Sequence, residues 1–255
     1  MTDRYETSPW GPREGAPTAV PTTHAPLPRD REPVSRRRWT FADLVLAGLI
    51  GAVFLTQLAR PEWVGDGALS AAALQEGRWE VLLAHMFLHG GIIHLAFNLT
   101  AYLALSAPVA FALGGARPGG VRFNAGFLAF YVLAGIAGGF AFVLANLDNP
   151  VPAVGASGAI CGLWGAASRV ASPHGELLPV LHPHVGRNLL NFTVMNLVLV
   201  ALVFGLGFLA GGQAMGGIAW EAHVGGYLFG LLLVPAFQRL TRGRADRWAR
   251  PRDPA

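Results

Sequence analysis

Apolar residues along the chain fall into six blocks, separated by polar or glycine- and proline-rich connections. The blocks cover roughly residues 40–59, 91–113, 123–145, 156–172, 189–211 and 217–238. A helix needs about 20 mostly apolar residues to cross the hydrocarbon core of a bilayer. Because the blocks have about that length, the pattern predicts an all-α polytopic membrane protein built from six transmembrane helices.

The segments outside the blocks are polar. Residues 1–38 are rich in proline and arginine without an apolar core, which predicts a disordered tail rather than a signal peptide. Residues 39–240 contain the six spans, and residues 241–255 form a second, basic tail. The connection over about 60–90 is too polar to span a membrane, but its apolar second half predicts a segment that lies in the interface.

Composition supports a membrane protein with closely packed helices. Hydrophobic residues make up 53% of the chain and charged residues only 13%, with a mean hydropathy of +0.42. Soluble domains carry about 25% charged residues. The 33 glycines suit close helix packing in a membrane. The single cysteine, Cys161, excludes an internal disulfide.

The arginines predict how the chain is oriented. All 19 basic residues are arginines, and six spans would place both termini on the same side. That side, with both tails and the 2–3 and 4–5 loops, holds seventeen arginines, whereas the other side holds only Arg60 and Arg78. Cytoplasmic segments carry the excess of basic residues, so both termini are expected inside. The arginines behind the net charge of +4 flank the apolar blocks, so they are explained by membrane orientation and do not indicate nucleic-acid binding.

Polar side chains occur near the starts of three spans, where they need a reason because polar groups are costly at membrane depth. The second span carries His94 and Asn98, the fourth carries Ser157 and the sixth carries His223. These spans run in the same direction, so the side chains would lie at a similar depth. The arrangement predicts one shared cavity that opens to water on the outer side.

Small residues spaced four apart predict that the fourth and sixth spans meet, since such ridges let membrane helices approach closely. The ridge residues are Gly158, Gly162, Gly226 and Gly230. If the two spans pack along these ridges, Ser157 and His223 would come within hydrogen-bonding distance.

A serine and a histidine so placed have complementary chemistry, because a serine hydroxyl is a weak nucleophile until a base removes its proton. Backbone N–H groups at the start of the fourth span, with the side chains of His94 and Asn98, would stabilise an oxyanion. No carboxylate in the spans is placed to orient His223, because Glu221 lies on another helix face. The prediction is therefore a Ser–His dyad without a cofactor or a metal ion.

Each feature also has a plainer explanation. Gly-Ala-Ser-Gly alone can be a packing motif, a buried histidine can bind a backbone carbonyl, and Cys161 can be a small packing residue. His85 and His89 are four apart, like a metal-ligand pair, but no Asp or Cys lies near them, which favours capping or hydrogen bonding. The occurrence of complementary groups at one depth favours catalysis over these alternatives.

Three motifs together resemble the rhomboid intramembrane serine proteases, in the expected order and on the expected spans. They are HGGIIHLAFN, GASGAICG and EAHVGGYLFG, and the resemblance covers about residues 40–240. The resemblance implies a compact six-helix bundle in which Ser157 is the nucleophile and His223 the general base.

The same resemblance implies roles for further residues. His94, Asn98 and the backbone N–H of Ser157 correspond to the oxyanion site, with Gly155 in the loop before the serine. His89 corresponds to the histidine that opens the second span in many members of the family.

Two positions depart from the family pattern. Many members carry Trp-Arg in the interfacial segment before the second span, whereas here Glu80 follows Trp79. In some members an aromatic residue one turn after the nucleophile stacks on the catalytic histidine. Cys161 stands at that position here, which predicts looser fixation of the His223 ring.

The resemblance implies an endopeptidase that cleaves single-span membrane proteins in the lipid bilayer, near the outer end of the substrate helix and at small residues. A non-catalytic rhomboid-like protein that binds membrane helices is the main alternative, but such relatives lack the serine or the histidine. A transporter or proton channel would need paired charges or inverted repeats, and the sequence has neither. The N-in arrangement without an organelle-targeting pattern favours a bacterial cytoplasmic membrane, and the sequence assigns no oligomeric state.

Overall fold

The computed structural model describes residues 39–115, 118–148, 151–172, 175–209 and 217–242. The helices in these ranges are α1 (Phe41–Ala59), α2 (Glu62–Asp66), α3 (Ala71–Gln75), α4 (Val81–Ala84), α5 (Ile92–Gly114), α6 (Gly120–Ala145), α7 (Ser157–Ala167), α8 (Pro183–Leu209) and α9 (Trp220–Thr241). Within the same ranges, β-structure is limited to two isolated bridges. The described chain is therefore all-α, and the predicted tail over 1–38 and residues 243–255 of the second tail lie outside the described residues.

Five helices are long and apolar enough to cross a membrane, namely α1, α5, α6, α8 and α9 in the part of the chain that the structure describes. The segment predicted as the fourth span is the shorter apolar helix α7, with 11 residues and an axial length of about 16 Å. Helices α5, α6 and α9 pack around α7, and most of its residues are buried. Non-helical backbone at membrane depth is tolerated inside protein, so a buried helix need not span both surfaces.

The largest difference between predicted and observed boundaries is at α8. The apolar run predicts a start near residue 189, but the helix begins at Pro183. Proline suits the first position of a helix because its missing N–H would have no intrahelical partner there. Residues 183–188 therefore belong to the helix, although hydropathy assigns this polar segment to the loop.

Glycines bring the backbones of α7 and α9 together. A Cβ atom on Gly226 would collide with the carbonyl oxygen of Gly158, and a Cβ on Gly230 would collide with that of Gly162. The two helices are therefore in backbone contact along the small-residue ridges. This contact places the first turn of α7 beside the first turn of α9.

The connection between α1 and α5 forms the three short helices α2, α3 and α4 and is tied to the loop before α7. Leu69 and Ala153 exchange two backbone hydrogen bonds of 2.9 and 2.8 Å, and the N–H of Gly155 donates to the carbonyl of His85 at 2.8 Å. Trp79 on this connection is exposed, as expected of a residue at a membrane interface. The connection thereby fixes the loop that leads into Ser157.

Helix α8 is held against the bundle by few side chains. Among its described residues only Val185 and Phe192 are buried, at 2% and 3% exposure. From residue 197 to the end of the helix, no described side chain is buried. The half of α8 beyond Asn196 therefore contributes none of the buried side chains that the structure describes.

Candidate active site

Ser157 and His223 are in direct contact at the starts of α7 and α9. The Oγ atom of Ser157 lies 2.8 Å from Nε2 of His223, and the histidine is 6% exposed. Ser157 is the first residue of α7, and His223 is in the first turn of α9. The distance is that of a hydrogen bond, while the catalytic roles of the two residues stay predictions.

The other nitrogen of the same imidazole contacts Asn196 on α8. Nδ1 of His223 lies 2.6 Å from Oδ1 of Asn196, whose Nδ2 donates to the carbonyl of Phe192 at 2.9 Å. Asn196 was not predicted as a site residue, although it is a polar residue inside an apolar span. Polar groups are costly at membrane depth, and this criterion, which drew attention to the second, fourth and sixth spans, applies to Asn196 as well.

His94 presents one ring nitrogen to the loop before Ser157. The N–H of Gly90 donates to Nδ1 of His94 at 3.2 Å, so in the neutral ring the proton is on Nε2. A Cβ atom built on Gly155 would lie 2.9 Å from that Nε2 and 3.8 Å from Oγ of Ser157. Nε2 of His94 therefore faces the loop that carries Gly155, next to Ser157.

Gly155 has to be glycine for two reasons. Its φ of +129° is rarely adopted by residues with a side chain, and an added Cβ would lie 2.8 Å from Cε1 of the His94 ring. The close approach of the loop to His94 therefore depends on the absence of a side chain at this position.

Asn98 supports His94 through the backbone. Its Nδ2 donates to the carbonyl of His94 at 3.0 Å, and Asn98 is buried at 5% exposure. A carboxamide has two N–H bonds, so one is left for another acceptor. The structure thus places His94 and Asn98 on one face of α5, next to the start of α7.

His85 and His89 make hydrogen bonds to the backbone. Nδ1 of His85 donates to the carbonyl of Val81 at 2.8 Å, and burial lowers the pKa of His85 to about 4, so the ring is neutral at pH 7. Nδ1 of His89 donates to the carbonyl of Phe87 at 3.2 Å, and the side chain of Gln57 bonds to the main-chain N–H and carbonyl of His89 at 3.0 and 2.6 Å. These contacts agree with the predicted hydrogen-bonding role.

His89 approaches the site through the His94 ring. The two ring centroids are 5.2 Å apart at an interplanar angle of 62°. Burial, and to a smaller extent His94, lowers the pKa of His89 to about 4. Within the described ranges, no three His, Cys, Asp or Glu side chains cluster as a metal site would require. His89 is thus placed to support the His94 ring.

Cys161 packs in a buried cluster one turn after Ser157. The cluster also contains Val185, Phe192, Tyr227 and Leu231. Both ring nitrogens of His223 have a hydrogen-bond partner, Ser157 on one side and Asn196 on the other. The expectation of a loosely fixed ring considered only the residue at position 161 and did not take Asn196 into account.

The chain matches one protein family and several of its members. The family model described as Rhomboid domain matches residues 76–239. Rhomboid protease GluP of Bacillus subtilis is 33% identical over 174 residues, which are 68% of this chain and 29% of that protein. RHOMBOID-like protein 5 of Arabidopsis thaliana is 29% identical over 168 residues, covering 66% of this chain and 47% of that protein.

A third relative is the putative rhomboid protease YdcA of Bacillus subtilis. It is 34% identical over 142 residues, which are 52% of this chain and 66% of the relative. The chain thus spans between 29% and 66% of the length of these three relatives.

Proposed function

The chain belongs to the rhomboid family, and on that premise we propose that it is an intramembrane serine endopeptidase with Ser157 as the nucleophile and His223 as the general base. The observation that carries the proposal is the 2.8 Å contact between the Ser157 hydroxyl and Nε2 of His223. The buried position of His223 adds support, because a polar side chain that is buried at membrane depth needs a functional or structural reason.

In the proposed reaction, Oγ of Ser157 attacks the scissile carbonyl carbon while Nε2 of His223 accepts the hydroxyl proton. The negative charge that forms on the carbonyl oxygen faces the free N–H groups at the start of α7 and the Nε2–H of His94. His223 then gives its proton to the leaving amine, and an acyl-enzyme forms. Water, deprotonated by His223, hydrolyses the acyl-enzyme and regenerates Ser157.

The proposed substrate is a single-span membrane protein whose helix approaches the bundle from the side, near α8. The packing of α8 supports this route, because the half of that helix beyond Asn196 contributes no buried side chain among those described. At the outer end of α5, Ile93 and Phe97 are about 70% exposed. We propose that cleavage occurs near the outer end of the substrate helix at small residues, as in the family that the motifs resemble.

The chain is an integral membrane protein by family and by its apolar helices. We further propose that it resides in a bacterial cytoplasmic membrane with both termini inside. The distribution of arginines supports this orientation.

Cleavage of a single-span reporter in liposomes, with a metal chelator present, tests the proposal. Ser157→Ala and His223→Ala are each expected to lower the cleavage rate by at least about a thousandfold. Ser172→Ala, in the segment that follows α7, and His182→Ala, which removes an exposed histidine, serve as controls and should keep wild-type rates. Cleavage that survives Ser157→Ala would show that the nucleophile is wrongly assigned.

The alternative function gives a different result. A non-catalytic rhomboid-like protein would bind the reporter helix without cleaving it, and a small phosphonofluoridate probe would not label Ser157. Labelling that requires both Ser157 and His223 favours the endopeptidase even before the natural substrate is known.

A further inference from the structure

The orientation of the Asn196 carboxamide follows from its partners. The Nδ2 atom of Asn196 lies 2.9 Å from the carbonyl oxygen of Phe192, and a carbonyl oxygen can only accept a hydrogen bond. The amide nitrogen therefore faces Phe192, and the amide oxygen faces His223. Because that oxygen can also only accept, the 2.6 Å contact requires a proton on Nδ1 of His223.

This proton position decides what the other ring nitrogen can do. A neutral imidazole carries one proton, so a proton on Nδ1 leaves the lone pair on Nε2. Nε2 is the atom that lies 2.8 Å from Oγ of Ser157. The Asn196 contact thus selects the tautomer that can accept the serine proton.

Packing around Asn196 holds the carboxamide in place. Phe192, one turn earlier on α8, stacks on Tyr227 with ring centroids 4.1 Å apart, and Tyr227 is one turn after His223 on α9. Phe192 also packs at right angles to Trp164 on α7, with ring centroids 5.5 Å apart. Two successive turns of α8 therefore contact two successive turns of α9, and the aromatic pair fixes the register in which Asn196 meets His223.

We propose that Asn196 is a positioning residue for His223, so that the site acts as a Ser157–His223–Asn196 relay rather than as a dyad. The proposal rests on the serine-protease function proposed above. Asn196 keeps Nδ1 protonated in the free enzyme, and after the serine proton has moved to Nε2, its oxygen still accepts the Nδ1–H bond. The ring is thereby held with Nε2 toward Ser157 and the leaving group.

The position of Asn196 on α8 gives the relay a further property. Asn196 lies where the buried part of α8 ends, because Phe192 one turn earlier is buried and no described side chain is buried from residue 197 onward. A displacement of α8 that reached Phe192 would therefore break the contact with His223.

Asn196→Leu tests the proposal, because leucine has a similar shape but no acceptor. We expect kcat for the reporter to fall about tenfold or more while KM changes less than twofold. The rate at which the phosphonofluoridate probe labels Ser157 should fall in parallel. Asn196→Asp keeps an acceptor toward Nδ1 and is expected to recover part of the rate lost in Asn196→Leu.

Asn188→Leu is the matched control. Asn188 lies two turns earlier on α8, and its Nδ2 donates to the carbonyl of His184 at 3.0 Å, the same contact that Asn196 makes with Phe192. The control loses that helix contact without affecting His223 and should keep wild-type kcat. The unfolding temperature of each variant in detergent is measured alongside, with Asn196→Ala as a second acceptor-free variant in case the leucine is destabilising.

Two results would overturn the inference while leaving the Ser–His pair intact. One is a wild-type kcat and labelling rate in both acceptor-free variants. The other is an equal loss in Asn188→Leu, which would assign the effect to helix stability. Failure of the proposed function is distinguishable, because wild type itself would then neither cleave nor label, and the relay would fall with it.

Discussion

Three side chains of the candidate site come from first helical turns, and a glycine-containing loop lies beside them. Ser157 begins α7, His223 lies in the first turn of α9, and His94 lies in the first turn of α5. Backbone N–H groups in a first turn have no intrahelical partner and carry the positive end of the helix dipole. A nucleophile at such a position has oxyanion donors beside it without the need for charged residues.

Gly155→Ala tests the importance of the loop before Ser157. An alanine Cβ would lie within 2.9 Å of the His94 ring, and the alanine backbone would have to adopt a φ of +129°. The ring or the loop must therefore move. Loss of one oxyanion donor lowers a rate by about a hundred- to a thousandfold, and we expect kcat/KM for the reporter to fall by at least about tenfold.

The control for this variant is Gly77→Ala. Gly77 also has a positive φ, of +83°, but an added Cβ meets no atom within 4 Å. If both variants lost the same activity, backbone strain would explain the loss, and the contact with His94 would not.

At the residue scale, the sequence predicted the pair that meets but not the full set of contacts. Ser157 and His223 were predicted because their motifs are specific and the glycine ridges imply a helix contact. Asn196 was missed because the search for an orienting group considered only carboxylates. A neutral carboxamide can do the same, as the Cys-His-Asn arrangement of other proteases shows.

At the scale of elements, the contact between α7 and α9 positions the site. The backbones are close enough that a methyl group on either Gly226 or Gly230 would collide with a carbonyl oxygen of α7. Small-residue spacing predicts such contacts in sequence, because little else allows this approach. The sequence did not predict the length of α7, since an apolar block has the same hydropathy whether it contacts lipid or other helices.

Gly226→Ala is expected to destabilise the bundle and to separate Ser157 from His223. Overpacking of a well-packed core costs about 1–3 kcal/mol, so the thermal unfolding midpoint in detergent should fall measurably and reporter cleavage with it. Gly48→Ala on α1 is the control, because an added Cβ there has no neighbour within 4 Å. Equal unfolding midpoints for Gly226→Ala and wild type would contradict the close contact.

At the scale of the whole molecule, the pattern of apolar blocks predicted the polytopic bundle. What the pattern could not show is how unevenly the helices are packed. Along the apolar part of α8 only 6% of the residues are buried, against 50% for α6, although the two helices are similarly apolar. Lipid tails and protein interiors select similar side chains, so hydropathy does not distinguish a peripheral helix from a central one.

The orientation of the whole molecule can be tested by thiol labelling, because the chain has a single, buried cysteine. In a Cys161→Ala background, one new cysteine is placed at exposed Asp148, between α6 and α7, and another at exposed Gly119, between α5 and α6. The arginine distribution assigns the first loop to the outside and the second to the inside.

A membrane-impermeant maleimide should therefore label Asp148→Cys in intact cells and Gly119→Cys only after permeabilisation, while Cys161→Ala alone stays unlabelled. The loop with Asp148 leads into Ser157, so this pattern would place the open end of the site at the outer surface, where water can enter for acyl-enzyme hydrolysis. The reverse pattern would put the site on the inner side. The proposed cleavage near the outer end of a substrate helix would then be wrong, even if Ser157 and His223 cleave as proposed.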